Sequence, residues 1–177
     1  MKTNNIKTRI AEYFFLNPSA KLRVRQIERI VRVPLPSAIR YTKELEGEGI
    51  LKSSNIGNVK LYSADRISKA FLLQKRLFNL SSLYSSGLIN FLIEELSNPT
   101  IVLFGSYSRG EDIENSDIDL YIETPSKKKI NFKKFEKGLQ RRIQFFKYKN
   151  IHEVKNEHMA NNILNGVVLN GFIEVFK

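Results

Sequence analysis

Apolar residues recur every three or four positions in three short stretches near the start of the chain, and each stretch predicts an amphipathic helix. The first runs from Ile6 to Phe15, the second from about Arg23 to Arg32, and the third from Pro36 to about Gly47. Two strand-like runs, Ile50–Ser53 and Val59–Tyr62, then flank a polar turn. Such a pair of runs predicts a β-hairpin after the third helix.

A long helical stripe occupies the middle of the chain. Apolar residues keep a helical spacing from Arg66 to Leu96, with an expected break near Ser81-Ser82 or near Ser85-Ser86-Gly87. A stripe of this kind is typical of a core helix or of a dimer seam. We therefore interpret residues 67–97 as a helical linker, and a homodimer remains open.

The last part of the chain mixes strands with helices. Thr100–Phe104 is a short apolar run typical of a buried strand, and Ser116–Glu123 alternates apolar with acidic side chains, as a strand with one packed face does. A helix over Phe132–Arg141 and a strand over Arg142–Lys147 follow. The tail predicts a packing helix with apolar residues from Met159 to Leu169 and an edge strand at Phe172–Phe176. The whole pattern indicates an α+β chain.

Charge is distributed unevenly along the 177 residues, whose net charge is +11. Residues 1–66 contain 13 Lys or Arg and 6 Asp or Glu, residues 67–126 contain 4 and 8, and residues 127–149 contain 10 and a single acid, Glu136. A basic N-terminal third suits contact with phosphate backbones, and a basic stretch beside an acidic centre suits a site where cations meet an anionic substrate. For any one Lys-rich face, a simple contribution to solubility remains the alternative.

Composition excludes several classes of site. The chain has no cysteine and only two histidines, His152 and His158, so disulfides and thiolate metal sites are excluded, and the histidines are interpreted as structural. No apolar run approaches the roughly 20 residues needed to span a bilayer, and the first residues lack the apolar run of a signal peptide. We expect a cytoplasmic protein without a membrane partner.

The order helix, helix, turn, helix, hairpin resembles the winged helix-turn-helix family, as does the segment from Ser37 to Leu51. The resemblance covers about the first third of the chain. In this family the third helix presents short polar and basic side chains to the major groove, and the wing touches phosphates or the minor groove. The resemblance implies binding to double-stranded DNA, with the following contact residues: Ser37, Arg40, Tyr41, Lys43, Asn58 and Lys60. Winged helices also serve in dimerisation and protein docking, so a scaffold role stays open.

A glycine-serine turn and two aspartates form the candidate chemical site. Gly105-Ser106 follows the apolar strand directly, and Asp117 and Asp119 stand at the start of the next strand. The strand period of two puts both carboxylates on one face, about 7 Å apart. Two carboxylates so close repel each other, so their natural partner is a hard divalent cation with oxygen ligands, of which Mg²⁺ is the usual one beside nucleotides.

These residues resemble the DNA-polymerase-β-like nucleotidyltransferase superfamily, in particular its minimal members. The resemblance covers roughly Pro99 to the C terminus and is most specific over residues 103–123. It implies a small mixed α/β fold and the Mg²⁺-dependent transfer of a nucleoside monophosphate from a nucleoside triphosphate to an acceptor that the sequence does not identify. Toxin-antitoxin or regulatory systems, in which such transferases modify a partner protein, are the implied setting.

The resemblance also implies a role for each residue of the site. Gly105 allows close backbone approach to the triphosphate, Ser106 contacts its β- and γ-phosphates, and Arg109 is the basic residue that often follows in this motif. Asp117 and Asp119 are implied to bind Mg²⁺ and to carry catalysis.

One position departs from the family. A third carboxylate normally comes from the strand after the next helix, and the corresponding residue here is Gln144. An amide cannot act as a general base, and it weakens the field that holds the metal. No Asp or Glu lies between Glu136 and Glu153. Either a distant acid substitutes, or the catalytic metal is held weakly, or the domain binds nucleotide without turning it over.

The sequence therefore predicts a winged helix-turn-helix over residues 1–66, a helical linker over 67–97 and a minimal nucleotidyltransferase domain over 98–177. The first functional hypothesis is a DNA-binding nucleotidyltransferase. The second is a winged-helix transcriptional regulator whose degenerate domain senses nucleotide or mediates assembly. The intact aspartate pair favours the first hypothesis, and Gln144 favours the second.

Overall fold

The computed structural model describes residues 5–176, and the chain divides into two compact units between Phe78 and Asn79. Each unit contains its own sheet, so the α+β class holds for the chain. None of the helices described within these residues combines the length and apolar content that crossing a membrane requires.

The first unit contains three helices, a small antiparallel sheet and the start of a fourth helix. In chain order its elements are α1 (Ile6–Leu16), β1 (Lys21–Leu22), α2 (Val24–Val31), α3 (Leu35–Gly47), β2 (Leu51–Ile56), β3 (Val59–Ala64) and the first part of α4 (Lys69–Ser85). These bounds confirm the three predicted helices and the hairpin. The strands are longer than predicted and meet at a two-residue turn, Gly57-Asn58, in which Gly57 has a φ of +56°. The short strand β1, which no pattern predicted, pairs with β3.

The apolar stripes of the first three helices meet in one core. Ile10 and Phe14 of α1, Ile27 of α2 and Leu45 of α3 are almost fully buried, and Phe71 of α4 packs with them. Burial of each such side chain contributes about 1.5–3 kcal/mol. The helical spacing seen in the sequence is therefore the spacing that this core requires.

The second unit is a four-stranded sheet with helices on both faces. After the end of α4 its elements are α5 (Leu88–Glu95), β4 (Thr100–Phe104), α6 (Gly105–Arg109), β5 (Ile118–Glu123), α7 (Lys133–Leu139), β6 (Ile143–Tyr148), a 3-10 helix (Ile151–Glu153), α8 (Glu157–Leu164) and β7 (Val167–Asn170). The strands predicted at Thr100, Ser116 and Arg142 and the helix predicted at Phe132 are confirmed within a few residues. The long helical stripe breaks at Ser86-Gly87, the second of the two expected places.

The strands lie in the order β6-β5-β4-β7, with β5 and β6 parallel and the other pairs antiparallel. Alternate residues of β4 and β5 point to opposite faces. Leu103 and Leu120 join a core with α5 and α7, whereas Val102 and Tyr121 join one with α8 and the 3-10 helix. Because both faces are covered, the central strands are almost continuously apolar.

The residues predicted as a linker, 67–97, contribute to both units. Phe71 belongs to the core of the first unit, and Leu83, Leu88 and Leu92 belong to the core of the second. Their long apolar stripe serves two separate cores, and the division between the units falls inside α4.

The packing helix predicted in the tail is confirmed from Met159 to Leu164, but the predicted end of the helix and the predicted edge strand were wrong. The helix α8 ends at Leu164, the edge strand is Val167–Asn170, and residues 172–176 are in neither helix nor strand. Gly166 explains the change, because a Cβ there would lie 2.6 Å from the carbonyl oxygen of Leu103. A glycine at this point lets the chain leave the helix and come against β4, and the β-branched residues that follow suit a strand.

Candidate active site

The candidate site lies where β4 turns into α6, opposite the start of β5. Phe104, the last residue of β4, pairs with Asp119. Gly105 follows with a φ of +73°, and a Cβ there would lie only 2.1 Å from Oδ2 of Asp119. Glycine is thus required both by the left-handed backbone and by the carboxylate packed against it.

The two aspartates are electrostatically coupled. Asp119 is half-buried, and its pKa is raised by burial first and by the negative charge of Asp117 second, while Arg109 opposes the rise. A raised pKa means that the ionised pair is held at a cost in free energy. A divalent cation between carboxylate oxygens would relieve both the repulsion and the loss of hydration, so the pair suits Mg²⁺.

Gln144 lies beside this pair. Parallel pairing of β5 and β6 sets Gln144 opposite Asp119, and its Nε2 donates a hydrogen bond to Oδ2 of Asp117 at 3.0 Å. Gln144, which the sequence assigns to the position of the third carboxylate, thus lies beside the aspartate pair. Within residues 5–176, no three His, Asp or Glu side chains are grouped closely enough to hold a metal.

The other predicted nucleotide contacts lie on α6. This short helix is stabilised by a hydrogen bond from Oγ of Ser108 to the carbonyl of Gly105 at 2.8 Å. Gly110, with a φ of +75°, caps its C-terminal end. Ser106 is half-buried in its first turn. Arg109 is exposed, and its Nε lies 2.7 Å from Oε2 of Glu111. An exposed ion pair contributes about 0–1 kcal/mol, so a phosphate group can compete for the guanidinium.

A buried polar network supports the loop between α6 and β5, and the sequence did not predict it. Nδ2 of Asn79 donates to the carbonyl of Tyr107 at 2.9 Å and to Oδ1 of Asp112 at 2.8 Å. Nη2 of Arg141 lies 3.7 Å from Oδ2 of Asp112, and both side chains are buried, with 6% and 1% exposure. Burial also raises the pKa of Tyr107. In the sequence Asp112 is one acid among several in a polar stretch, so only its burial reveals its role.

A cavity opens beside Asp117 on the side of α7. It has a volume of about 570 Å³, and its lining includes Asp117, Glu136, Arg141 and Arg142. This volume is within the range of about 300–1,000 Å³ typical of small-molecule sites. Both signs of charge are present, which suits a ligand that carries a metal as well as phosphates.

The predicted DNA contacts of the first unit divide into free and engaged side chains. Lys43 and Asn58 are exposed, the latter in the hairpin turn, while Ser37 is half-buried near the start of α3. Arg40 lies over the Tyr41 ring at 4.4 Å and pairs with Glu44 at 3.2 Å.

On the wing, Lys60 is paired with Glu46 at 3.1 Å. The buried face of α3 is Ala38, Thr42 and Leu45, and Tyr41 packs partly against the same core. Arg40 and Lys43 are exposed.

The histidines take no part in the candidate site. His152 lies in the 3-10 helix and His158 in the first turn of α8, and both are exposed.

A comparison with family models supports a nucleotidyltransferase domain in the second unit. Residues 86–165 match the model of the nucleotidyltransferase domain. The match lies within the second unit and includes the Gly105 turn, the aspartate pair and Gln144. The matched region thus contains the candidate site, and the match suggests nucleotidyl transfer in general. No curated protein and no solved structure matches the chain.

Proposed function

We propose that the nucleotidyltransferase domain binds a nucleoside triphosphate with Mg²⁺ and transfers the nucleoside monophosphate to a hydroxyl group of an acceptor. One observation carries the proposal. Two coupled carboxylates lie at the start of β5, Asp117 directly before the strand and Asp119 within it, inside the region that matches the nucleotidyltransferase family. Oδ2 of Asp119 lies against the backbone of Gly105. The pair needs a cation, and Gly105 begins the turn that the family uses for the triphosphate.

The chain's own residues hold and orient the reactants. Asp117 and Asp119 would hold the cation, Ser106 and the backbone of the turn would hold the β- and γ-phosphates, and Arg109 would exchange Glu111 for a phosphate. The bound Mg²⁺ supplies charge neutralisation on the triphosphate. The acceptor oxygen forms a bond to the α-phosphorus, the bond to the bridging oxygen breaks, and pyrophosphate leaves with that electron pair. Because the amide of Gln144 is not a base, the hydroxyl proton must pass to a carboxylate of the pair or to water.

The test is calorimetric titration of the full chain with ATP, GTP, CTP and UTP, each with and without Mg²⁺. We expect metal-dependent binding that is lost in the Asp117→Asn, Asp119→Asn double variant. Glu123→Gln is the matched control, because it neutralises a carboxylate at the far end of the same strand. No binding of any nucleotide by the wild type would refute the proposal.

Gln144 favours a second candidate function, a regulator that binds nucleotide without turning it over. The amide of Gln144 donates a hydrogen bond to a carboxylate oxygen of Asp117. A third acid at this position would instead strengthen the cation site. Nucleotide binding by the wild type without release of pyrophosphate, whatever hydroxyl acceptor is offered, would support this function over transfer.

We also propose that the first unit is a winged helix-turn-helix that binds double-stranded DNA. The order α1-β1-α2-α3-β2-β3, the excess of basic residues in 1–66 and the exposed Lys43 on α3 support this proposal. Engagement of Arg40 and Lys60 by glutamates means that DNA phosphates must displace exposed ion pairs, which costs little. A mobility shift that persists unchanged in the Arg40→Ala, Lys43→Ala variant would contradict DNA binding through α3.

The two proposals together suggest the kind of system in which the protein acts. A transferase tied to DNA suits a toxin-antitoxin or regulatory system in which a partner protein is the acceptor. Incubation with labelled nucleoside triphosphate and the products of neighbouring genes tests for a protein acceptor.

A further inference from the structure

The lysines of the basic segment, residues 127–149, have no role in the proposed nucleotide site. The segment contains ten Lys or Arg and a single acid. In the described part of the chain, ion pairs engage two of the ten: Lys128 with Glu95 at 3.3 Å, and Arg141 with Asp112 at 3.7 Å. Most of the remaining basic side chains are exposed. A surface with this much unneutralised charge attracts polyanions.

Three of these lysines converge on a cavity of about 340 Å³, which we call the lysine cleft. Its lining includes Lys127, Lys147 and Lys149, together with Ser126 and a single acid, Glu153. The Glu153 carboxylate accepts a hydrogen bond from the backbone N–H of Lys149 at 3.0 Å. The lining is therefore net positive.

The lysine cleft is separate from the aspartate pair. It forms where the parallel strands β5 and β6 end side by side, with Glu123 opposite Tyr148. Asp117 precedes the other end of β5, and the six residues of that strand span about 20 Å. A ligand in the cleft is thus not a nucleotide held at the aspartate pair.

The chain around the cleft is held in place by hydrogen bonds. The backbone N–H of Ser126 donates to Oγ1 of Thr124 at 3.2 Å, and that of Lys128 donates to Oγ of Ser126 at 3.3 Å. Nζ of Lys147 donates to the carbonyl of Lys128 at 3.0 Å. Because this loop is ordered before any ligand arrives, binding costs less conformational entropy.

We propose that the lysine cleft and the exposed lysines around it bind the phosphate backbone of a nucleic-acid strand. Lysine ammonium groups act as point charges toward phosphates and need no particular base sequence. A membrane surface fits less well, since interfacial binding uses an apolar face and, among the described residues, no large hydrophobic side chain between Tyr84 and Leu164 is exposed.

The experiment measures binding of a fluorescent oligouridylate of about 20 nucleotides, longer than a typical single-strand site, by anisotropy over about 50–200 mM NaCl. The full chain is compared with a Lys127→Gln, Lys149→Gln variant. Each lysine–phosphate contact contributes about 0.7 to the slope of log affinity against log salt. We expect the slope to become shallower by about 1.4, so the fall in affinity over this range is about sevenfold smaller than in the wild type.

The matched control is Lys21→Gln, Lys69→Gln, which removes two exposed lysines of the first unit. An unchanged slope in the cleft variant, or an equal change in the control, overturns the proposal. So does competition by tripolyphosphate as effective as that by unlabelled oligouridylate, or binding to phosphatidylserine vesicles in place of the oligonucleotide. The Asp117→Asn, Asp119→Asn variant should keep the wild-type slope, which separates this result from the fate of the nucleotide site.

Discussion

Gly105→Ala should make the second unit unfold more easily and should remove the metal-dependent nucleotide binding that we propose for it. The new Cβ would lie 2.1 Å from Oδ2 of Asp119 and 3.1 Å from its Cγ. Rotation of the carboxylate about its own bond moves the oxygen but leaves Cγ too close, so the whole side chain must shift. The left-handed φ of +73° adds a backbone cost for any residue with a Cβ.

The size of the expected destabilisation follows from a comparison with Gly87, whose φ is +76°. A Cβ added at Gly87 would meet no atom within 4 Å. Gly87→Ala carries only the backbone cost, about 1 kcal/mol after the gain from a less flexible unfolded chain. Gly105→Ala carries the same cost plus about 1–3 kcal/mol for the collision. Both positions lie in the second unit, so one unfolding transition reports on both.

The assay is urea denaturation followed by circular dichroism, with Mg²⁺-ATP titration of each folded variant. We expect Gly105→Ala to lose about 1–3 kcal/mol more unfolding free energy than Gly87→Ala, and to lose nucleotide binding, which Gly87→Ala keeps. Equal destabilisation of the two variants, or full Mg²⁺-ATP binding by Gly105→Ala, would refute the assigned contact between Gly105 and Asp119.

Two further predictions concern the carboxylates. Gln144→Glu should tighten Mn²⁺ binding and raise the rate of nucleotidyl transfer by about a hundredfold, because the new carboxylate supplies a base and a third metal ligand. Gln144→Ala only removes the hydrogen bond to Asp117 and should produce neither effect. Equal effects of the two substitutions would contradict this role for position 144. Asp119→Asn should raise the thermal stability of the metal-free protein at neutral pH. The pKa of Asp119 is raised in the folded protein, so this group contributes stability below its unfolded pKa, and that contribution is lost as the pH rises through the folded pKa. Asparagine has no charge and does not lose stability in this way. Unfolding scans in EDTA should show this gain at pH 7 and its decline toward acid pH, and no gain at neutral pH would contradict the burial of the charge.

Much of the secondary structure could be predicted because local periodicity and burial coincide. The three helices of the first unit carry one apolar stripe each, and each stripe faces a single core. The tail could not be predicted in this way. Val167–Leu169 is apolar at consecutive positions, which fits a helix or a strand equally, and the choice depends on the contact between Gly166 and Leu103 across the sheet.

The sequence by itself determined the chemistry of the candidate site. The sequence alone shows the order of Gly105, Asp117 and Asp119, the glutamine at position 144 and the basic run from Lys127 onward. These features can be recognised because such motifs are short and because strand periodicity sets which side chains share a face. Only the tertiary structure decided what surrounds that chemistry. Parallel pairing of β5 with β6 brings the amide of Gln144 to Asp117.

The same pairing gathers the lysines into a cleft at the opposite end of these strands. The buried partnership of Asp112 with Asn79 and Arg141 likewise joins residues that are 33 and 29 positions apart in the chain. Such contacts join residues that are distant in the sequence, and they depend on the order in which the strands pair. A local pattern of residues does not determine that order.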